Sequence, residues 1–336
     1  MDHKKERLSN SKQKDEMEQK TTIKRRTLLK SLLGLPVLGL FGLELAQKWT
    51  YDHEKKSRII KDLGLDNLKT YSTVNSPVEG SKGDLLRIGV IGFGTRGSQH
   101  VKGLGYMRPE EAESRKKNHT LEDWLAQEDL GIAVTGICDV FDLHAENGLA
   151  TYRDGIRAGG AKSTLPVKRY RTYQEMLDDK DIDAVMIVTP DHHHATIAIA
   201  AAKAGKHIYC EKSVALSEEH LHELYDTVKK SKVVYQLGHQ IPQSVIFKQA
   251  REILEKNTLG KITLIETTSN RNTAEGAWIR DRDNEGEMKP GDEKTIDWNQ
   301  WLGGAPKVPF SLDRYYNWTK FFDYDIGMLG QLFTHE

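Results

Sequence analysis

The chain has 336 residues, enough for two domains at ~150 residues each. Its 49 Lys and Arg balance 49 Asp and Glu, and there is no repeat or basic stripe, so nothing marks it for nucleic acid. Two cysteines, Cys138 and Cys210, each closing an apolar run, give no disulfide framework and are expected to be buried and structural.

The balance of charge hides an asymmetry, since the first thirty residues are basic and the rest mildly acidic. Lys24-Arg25-Arg26-Thr27-Leu28-Leu29-Lys30 precedes a Leu- and Gly-rich run from Leu32 to Ala46. A charged tail, an arginine pair and an apolar run in that order read as a twin-arginine export signal over residues 1–46. The run is shorter than the ~20 residues of a spanning helix, and Pro36 interrupts it. Glu44-Leu45-Ala46 is a poor cleavage triplet, which leaves open that the segment stays on as a membrane anchor. The expected location is the periplasm, or the membrane surface facing it. That route carries folded proteins and suits an enzyme loaded with cofactor beforehand. Residues 47–83, polar with Pro and Gly towards the end, read as a linker.

Leu86 to Ile91 has the apolar character of a parallel strand buried on both faces. Gly92-Phe93-Gly94-Thr95-Arg96-Gly97 follows at G-x-G-x-x-G spacing, and Ser98 to Leu104 can open a helix. Here Gly92 allows the tight turn, Gly94 the approach of a pyrophosphate, and Gly97 close packing of helix on strand. The helix start offers N–H groups and a positive dipole to phosphates. Asp139 ends the next strand, Ile132 to Cys138, where a carboxylate accepts from adenosine ribose hydroxyls and repels a 2′-phosphate. NAD is therefore favoured over NADP, with Arg96 the residue through which NADP stays an option. Asp139 lies 42 residues beyond Gly97 instead of ~20, which an insertion from Tyr106 to Asp129 explains.

The alternation continues. Ile182 to Val188 is a strand ending in Thr189-Pro190, and Ala195 to Lys203 is an Ala-rich helix closed by Gly205. His207 to Cys210 is a strand followed by Glu211-Lys212, and Ser217 caps a helix opening with Glu218 and Glu219. Val233 to Leu237 is a last strand, ending at Gly238. Such alternation predicts a Rossmann-type, doubly wound parallel α/β sheet, with ligands at the carboxyl ends of its strands.

Three strand ends together, Gly92-x-Gly94-x-x-Gly97, Thr189-Pro190-Asp191-His192-His193-His194 and Glu211-Lys212, resemble the Gfo/Idh/MocA family of sugar and cyclitol oxidoreductases. The resemblance covers about residues 84–336 and is strongest from Asp183 to Leu216. It implies a dinucleotide-binding Rossmann domain over 84–239 and a partial substrate domain over 240–336, an incomplete α+β open mixed sheet whose first long strand is Ile262 to Thr268. It implies that Thr189, Pro190, His194 and Glu211 join the glycine turn and Asp139 around the cofactor. Lys212 would reach the reacting hydroxyl, although Ser213 stands where the family's Glu-Lys-Pro motif has proline. The family's Asp-x-x-x-His motif is matched by Gln331-Leu332-Phe333-Thr334-His335, where histidine is kept and aspartate is not. Lys212 and His335 are thus the candidate catalytic residues, and Lys212, Gln331 and His335 the candidate substrate contacts. Gln331 can hydrogen-bond a substrate but takes no proton at neutral pH. Asp325 lies too far upstream to align with the missing aspartate.

The sequence ends directly after this motif, at Glu336, and is expected to be a fragment, so that part of the substrate site and a homo-oligomer interface through the second-domain sheet would be missing. Asp297-Trp298, Trp301-Leu302-Gly303 and Pro306 resemble secreted branches of the family and read as structural or substrate-lining. Trp278, Tyr315, Tyr316 and Trp318 can each stack on a sugar ring or join a core. His192-His193-His194 has no Cys or acidic partner at a ligand spacing, apart from Asp191 read as a turn residue, so no metal is expected.

The resulting expectation is an exported NAD-dependent oxidoreductase acting on CH–OH of a sugar, sugar derivative or cyclitol. One alternative is a redox-neutral, NAD-dependent glycosidase, which export favours because free NAD is scarce outside the cytoplasm. The other is a non-catalytic sugar-binding protein that keeps the fold, which Gln331, Ser213 and the early end favour.

Overall fold

The computed structural model describes residues 85–160, 165–240, 244–266, 268, 280–281 and 287–335, with a few positions between 50 and 61. The paired arginines, the apolar run after them and Trp278 lie outside the described residues. Among the described residues no helix is long and apolar enough to cross a membrane. The chain divides into two compact units, one of Tyr71–Lys248 with Ile262–Glu336 and one that includes Gln249–Lys261. The sheet and every candidate site residue belong to the first.

Six strands are all parallel in the order β5-β3-β1-β6-β7-β8, where β1 is Leu86–Ile91, β3 Ile132–Cys138, β5 Lys168–Tyr170, β6 Ala184–Ile187, β7 His207–Glu211 and β8 Tyr235–Gly238. The order reverses at β1, the place where a doubly wound sheet opens a crevice at its strand ends. Both faces are buried, which is why the strands read as continuous apolar runs. Ile88 and Val90 of β1 and Ala184 and Met186 of β6 point into one core with Phe93, Ile137 and Tyr152. Ile91 of β1 and Val185 and Ile187 of β6 point into the other, with Met176, Ile197 and Ala198. The period of two along each strand sorts side chains between the two layers of helices.

The insertion is structured. It forms β2 (Tyr106–Met107), α2 (Pro109–Lys117) and α3 (Leu121–Leu125), and β2 pairs antiparallel with β4 (Ile156–Arg157). Met107, Ala112, Trp124 and Ala158 give it a small core of its own. The helix after the glycine turn, α1 (Thr95–Gln99), starts earlier and is shorter than expected, because the chain tightens at His100, whose N–H faces both Arg96 O and Gly97 O. The remaining layers are α4 (Asp142–Asp154), α5 (Tyr173–Asp178), α6 (Asp191–Lys203) and α7 (Glu218–Ser231). Helix α6 begins four residues before the expected Ala195, directly after Pro190, whose fixed φ suits a helix entry. The three histidines therefore lie in its first turn. Ser217 caps α7 as expected, its Oγ accepting from His220 N–H at 3.3 Å.

Beyond β8, the described chain forms α8 (Val245–Glu255), α9 (Trp298–Leu302), α10 (Leu312–Tyr316) and α11 (Met328–Gln331). An aromatic cluster of Phe141, Trp301, Tyr315 and Tyr324, with Ile296 and Leu302, fastens this segment to the loop after β3. Asp142 N–H donates to Thr295 O and Asp297 N–H to Val140 O, at 2.9 and 2.8 Å, closing an antiparallel bridge of Phe141 with Ile296. Among the described residues beyond β8 it is an isolated bridge and belongs to no sheet. The strand expected over Ile262–Thr268 is not formed in residues 262–266, which pair with none of the described residues. Leu264 and Ile265 are 72% and 76% exposed.

Candidate active site

Two of the three glycines in the turn are fixed by packing. Gly92 has φ +91°, and a Cβ on it would sit 2.6 Å from Val188 O; one on Gly97 would sit 2.6 Å from Gly92 O. A Cβ on Gly94 would meet only the His144 ring, at 3.6 Å. Protein packing therefore does not demand glycine at 94. Instead Gly94, Thr95 and Arg96 wall a cleft of about 1080 Å3 that runs past Asp139, Thr189 and Pro190. Its size is at the upper end of ligand pockets. Thr189 Oγ1, on the same wall, is buried without a partner. A bare backbone surface and an unsatisfied hydroxyl fit a dinucleotide with its pyrophosphate over the turn.

Asp139 faces this cleft in a fixed pose, Oδ2 accepting from Phe93 N–H at 2.6 Å and Oδ1 from Phe141 N–H at 2.8 Å. A carboxylate has further lone pairs, so ribose hydroxyls can still be accepted. Several expected cofactor contacts need correcting. Phe93 gives its N–H to Asp139 and its ring to the core, edge-on to Tyr152, and does not line this cleft. Glu211 is 3% exposed and does not line the cleft; its Oε1 is taken by Arg96 Nε (2.8 Å), His100 Nε2 (2.7 Å) and Tyr209 OH (3.2 Å). Burial would raise this carboxyl, but His100 and Arg96 outweigh it and hold it below the usual range. Arg96 is thereby tied through Nε to β7, while it still lines the cleft. His194, 1% exposed, does not line the cleft either. Its Nδ1 lies 2.6 Å from Ser213 O and its Nε2 2.8 Å from Thr189 O, so it clamps the two strand-end loops together.

His192 and His193 do line the cleft, and both Nε2 atoms meet Trp301 O, at 2.8 and 2.7 Å. Among the described residues no group of three or more His, Cys, Asp or Glu is placed to hold a metal. Tyr315, Tyr316 and Trp318 face the cleft, and Tyr315 also packs on Phe141 and His144. Trp301, 2% exposed, joins the aromatic core and also edges the cleft, whereas Leu302, 1% exposed, is core alone. His144 and Asn147 of α4 are cleft residues that the sequence reading missed. Their spacing of three on the helix after Asp139 was the available signal.

The three catalytic and substrate candidates come together behind this wall, outside the cleft lining. Lys212 Nζ donates to Gln331 Oε1. Gln331 Nε2 donates to Asp191 Oδ2 at 2.6 Å and to Asp325 Oδ1 at 2.7 Å. Asp191 is thus no plain turn residue: of residues 189–193 it alone is absent from the cleft wall. Burial pushes the Asp191 carboxyl up to about 6, with His194 opposing and Asp325 adding to it. Burial lowers the Lys212 ammonium while Asp191, Glu211 and Asp325 counter it, leaving it below the ordinary lysine value. His335 is 5% exposed, its Nδ1 has no partner, and its ring centroid is 4.6 Å from that of His239. Burial, His239 and Lys212 all push His335 down, which keeps a neutral, proton-accepting imidazole near pH 7. His239, directly after β8, is a further residue the sequence reading passed over. The Lys212–Ser213 peptide is cis. Ser213 Oγ donates to Gly330 O at 3.1 Å and ties this loop to α11.

Residues 86–239 match the family GFO_IDH_MocA, the oxidoreductase family with an NAD-binding Rossmann fold. The match takes in the whole parallel sheet and just under half of the chain. The chain is 40% identical over 90 residues to a levoglucosan dehydrogenase of Pseudarthrobacter phenanthrenivorans, covering 27% of this chain and 23% of that one. It is 31% identical over 149 residues to the myo-inositol 2-dehydrogenase of Thermotoga maritima, covering 41% and 44%. A solved myo-inositol dehydrogenase from Lactobacillus casei, in complex with NAD(H) and myo-inositol, is 24% identical, with 52% and 42% covered and a TM-score of 0.39. The chain spans less than half the length of each of these relatives.

Proposed function

We propose that this chain is an NAD-dependent oxidoreductase that moves a hydride between a nicotinamide and a CH–OH carbon of a sugar, sugar derivative or cyclitol. The observation that carries this reading is Lys212, set at the end of β7 against Gln331 and near His335, beside the strand ends that wall the cleft. The relatives named for levoglucosan and inositol support the polyhydroxylated substrate class.

The nicotinamide, when bound, supplies a hydride acceptor. The protein's part is to bind, orient and move a proton. Asp139 holds the adenosine ribose, and Gly94 with Thr95 admits the pyrophosphate. Lys212, whose charged form burial disfavours, meets the substrate oxygen and takes the hydroxyl proton as the hydride leaves the carbon. His335, neutral and with an unpartnered ring nitrogen, is its helper and relays that proton. In the reverse direction the same pair returns the proton. Gln331 fixes Lys212 in place and contacts substrate polar groups without titrating. Export through residues 1–46 with the cofactor already held, retention of that segment at the membrane, and a homo-oligomer built on the second domain complete the reading; the order of charge, arginine pair and apolar run supports the first of these.

The test is NADH formation by the full chain over a panel of cyclitols, hexoses and anhydrosugars, with Lys212→Met beside it. Losing a general acid–base group costs ~10²–10⁴ in kcat/KM, while NAD binding should persist. Undiminished turnover by Lys212→Met would sink the assignment.

A further inference from the structure

We propose that the negative charge paired with Lys212 is supplied by Asp191 and Asp325 together, acting through the side-chain amide of Gln331. Both aspartates are then positioning residues of the reaction centre. This rests on the reading of Lys212 as a group that handles the hydroxyl proton.

The geometry leaves the amide one orientation. Its nitrogen carries two hydrogens, and two carboxylate oxygens receive them, Asp191 Oδ2 at 2.6 Å and Asp325 Oδ1 at 2.7 Å. Turned over, the amide would set its oxygen against both carboxylates and its nitrogen against an ammonium group. With Nε2 so pinned, Oε1 must face Lys212 Nζ, and it accepts from it. Asp191, Asp325 and Gln331 are 2%, 4% and 4% exposed, so water does not compete for these bonds.

The arrangement also accounts for glutamine where the family motif has aspartate. A third carboxyl group at 331 would lie within hydrogen-bond reach of two others, and like charges that close are costly. The carboxylate has instead been moved to 325, six residues upstream, and the neutral amide links it to the lysine. Asp191 arrives from the first turn of α6 and Asp325 from the loop before α11. The groups acting on Lys212 are Asp191, Asp325 and Glu211, opposed by Arg96, and its charge acts on His239 and His335; Asp191 also faces His194.

The test reads the protonation of Lys212 itself, in the full chain. An amine acylating reagent is applied across a pH series, and Lys212 is followed by peptide mass spectrometry. Asp325→Asn and Asp191→Asn each remove a carboxylate and should lower the Lys212 labelling midpoint by about one unit, ~10-fold faster labelling at a fixed pH below it. Exposed Lys203, paired with Glu223, should label as before. The double variant Asp325→Asn/Gln331→Asp, which returns the carboxylate to the motif position, should restore the midpoint. Circular dichroism checks each variant, and if one single variant does not fold, the other decides. An unchanged Lys212 midpoint in the folded single variants overturns the proposal. A chain inert towards every sugar but with the shift intact refutes the oxidoreductase reading alone, whereas an active chain without the shift refutes only this inference.

Discussion

Asp191 is the residue where burial and chemistry conflict most. Its carboxyl is raised to about 6 by burial first, then by Asp325, against the pull of His194 and Lys212. A raised carboxyl binds its proton more tightly folded than unfolded. The stability this gives is complete below the ordinary carboxylate value and is lost as pH rises through about 6. Asp191→Asn carries no charge at any pH and escapes that loss. Its stability relative to wild type should therefore improve by up to about 3 kcal/mol between pH ~4 and ~7. Denaturant titrations at both ends check this, and a difference flat with pH would contradict it. At this scale the sequence was legible only where a role is local. Asp139 could be read because it directly ends its strand, and Lys212 because it directly follows one. The partnership of Asp191 with Gln331 spans 140 residues, and no spacing rule reaches that far. His194 has the right position for a pocket residue, but both of its nitrogens are turned onto backbone carbonyls, which residue type alone does not reveal.

At the scale of elements, the turn between β1 and α1 separates two uses of glycine. Gly92 is needed by the backbone, with φ +91° and Val188 O where a side chain would go; Gly94 is needed only by what enters the cleft. Gly92→Ala should destabilise the domain by about 1–3 kcal/mol or more. Gly94→Ala should leave the thermal midpoint near wild type and weaken NAD by ~10-fold or more, since a methyl group would stand where the pyrophosphate approaches. Thermal melts and NAD titrations of both variants distinguish the two, and equal effects on stability would refute the distinction. The parallel strands were legible as apolar runs because both faces of the sheet are buried. The start of α6 was missed because Asp-His-His-His has weak helix preference, while Pro190 and the packing of Ala195 and Ala198 set the start.

For the whole molecule, two groups of candidate residues stand at the carboxyl ends of one sheet. The ends of β1, β3 and β6 wall a dinucleotide-sized cleft, and Lys212 at the end of β7 meets Gln331 of α11, with His335 in the turn beyond it. The G-x-G-x-x-G spacing pointed to the turn that walls the cleft, and both cysteines, expected to be buried, are so. In the second group Lys212, Gln331 and His335 could be named from the sequence, while the aspartates that join them, from two distant segments, were visible only once folded. Everything proposed for this chain depends on the cleft being a dinucleotide site with Asp139 at the ribose. The most direct measurement is calorimetric titration of the full chain with NAD and, separately, with NADP. Saturable binding of NAD, tighter than NADP by ~10-fold or more because Asp139 repels the 2′-phosphate, is the predicted result. Binding of neither dinucleotide, or a preference for NADP, would contradict it.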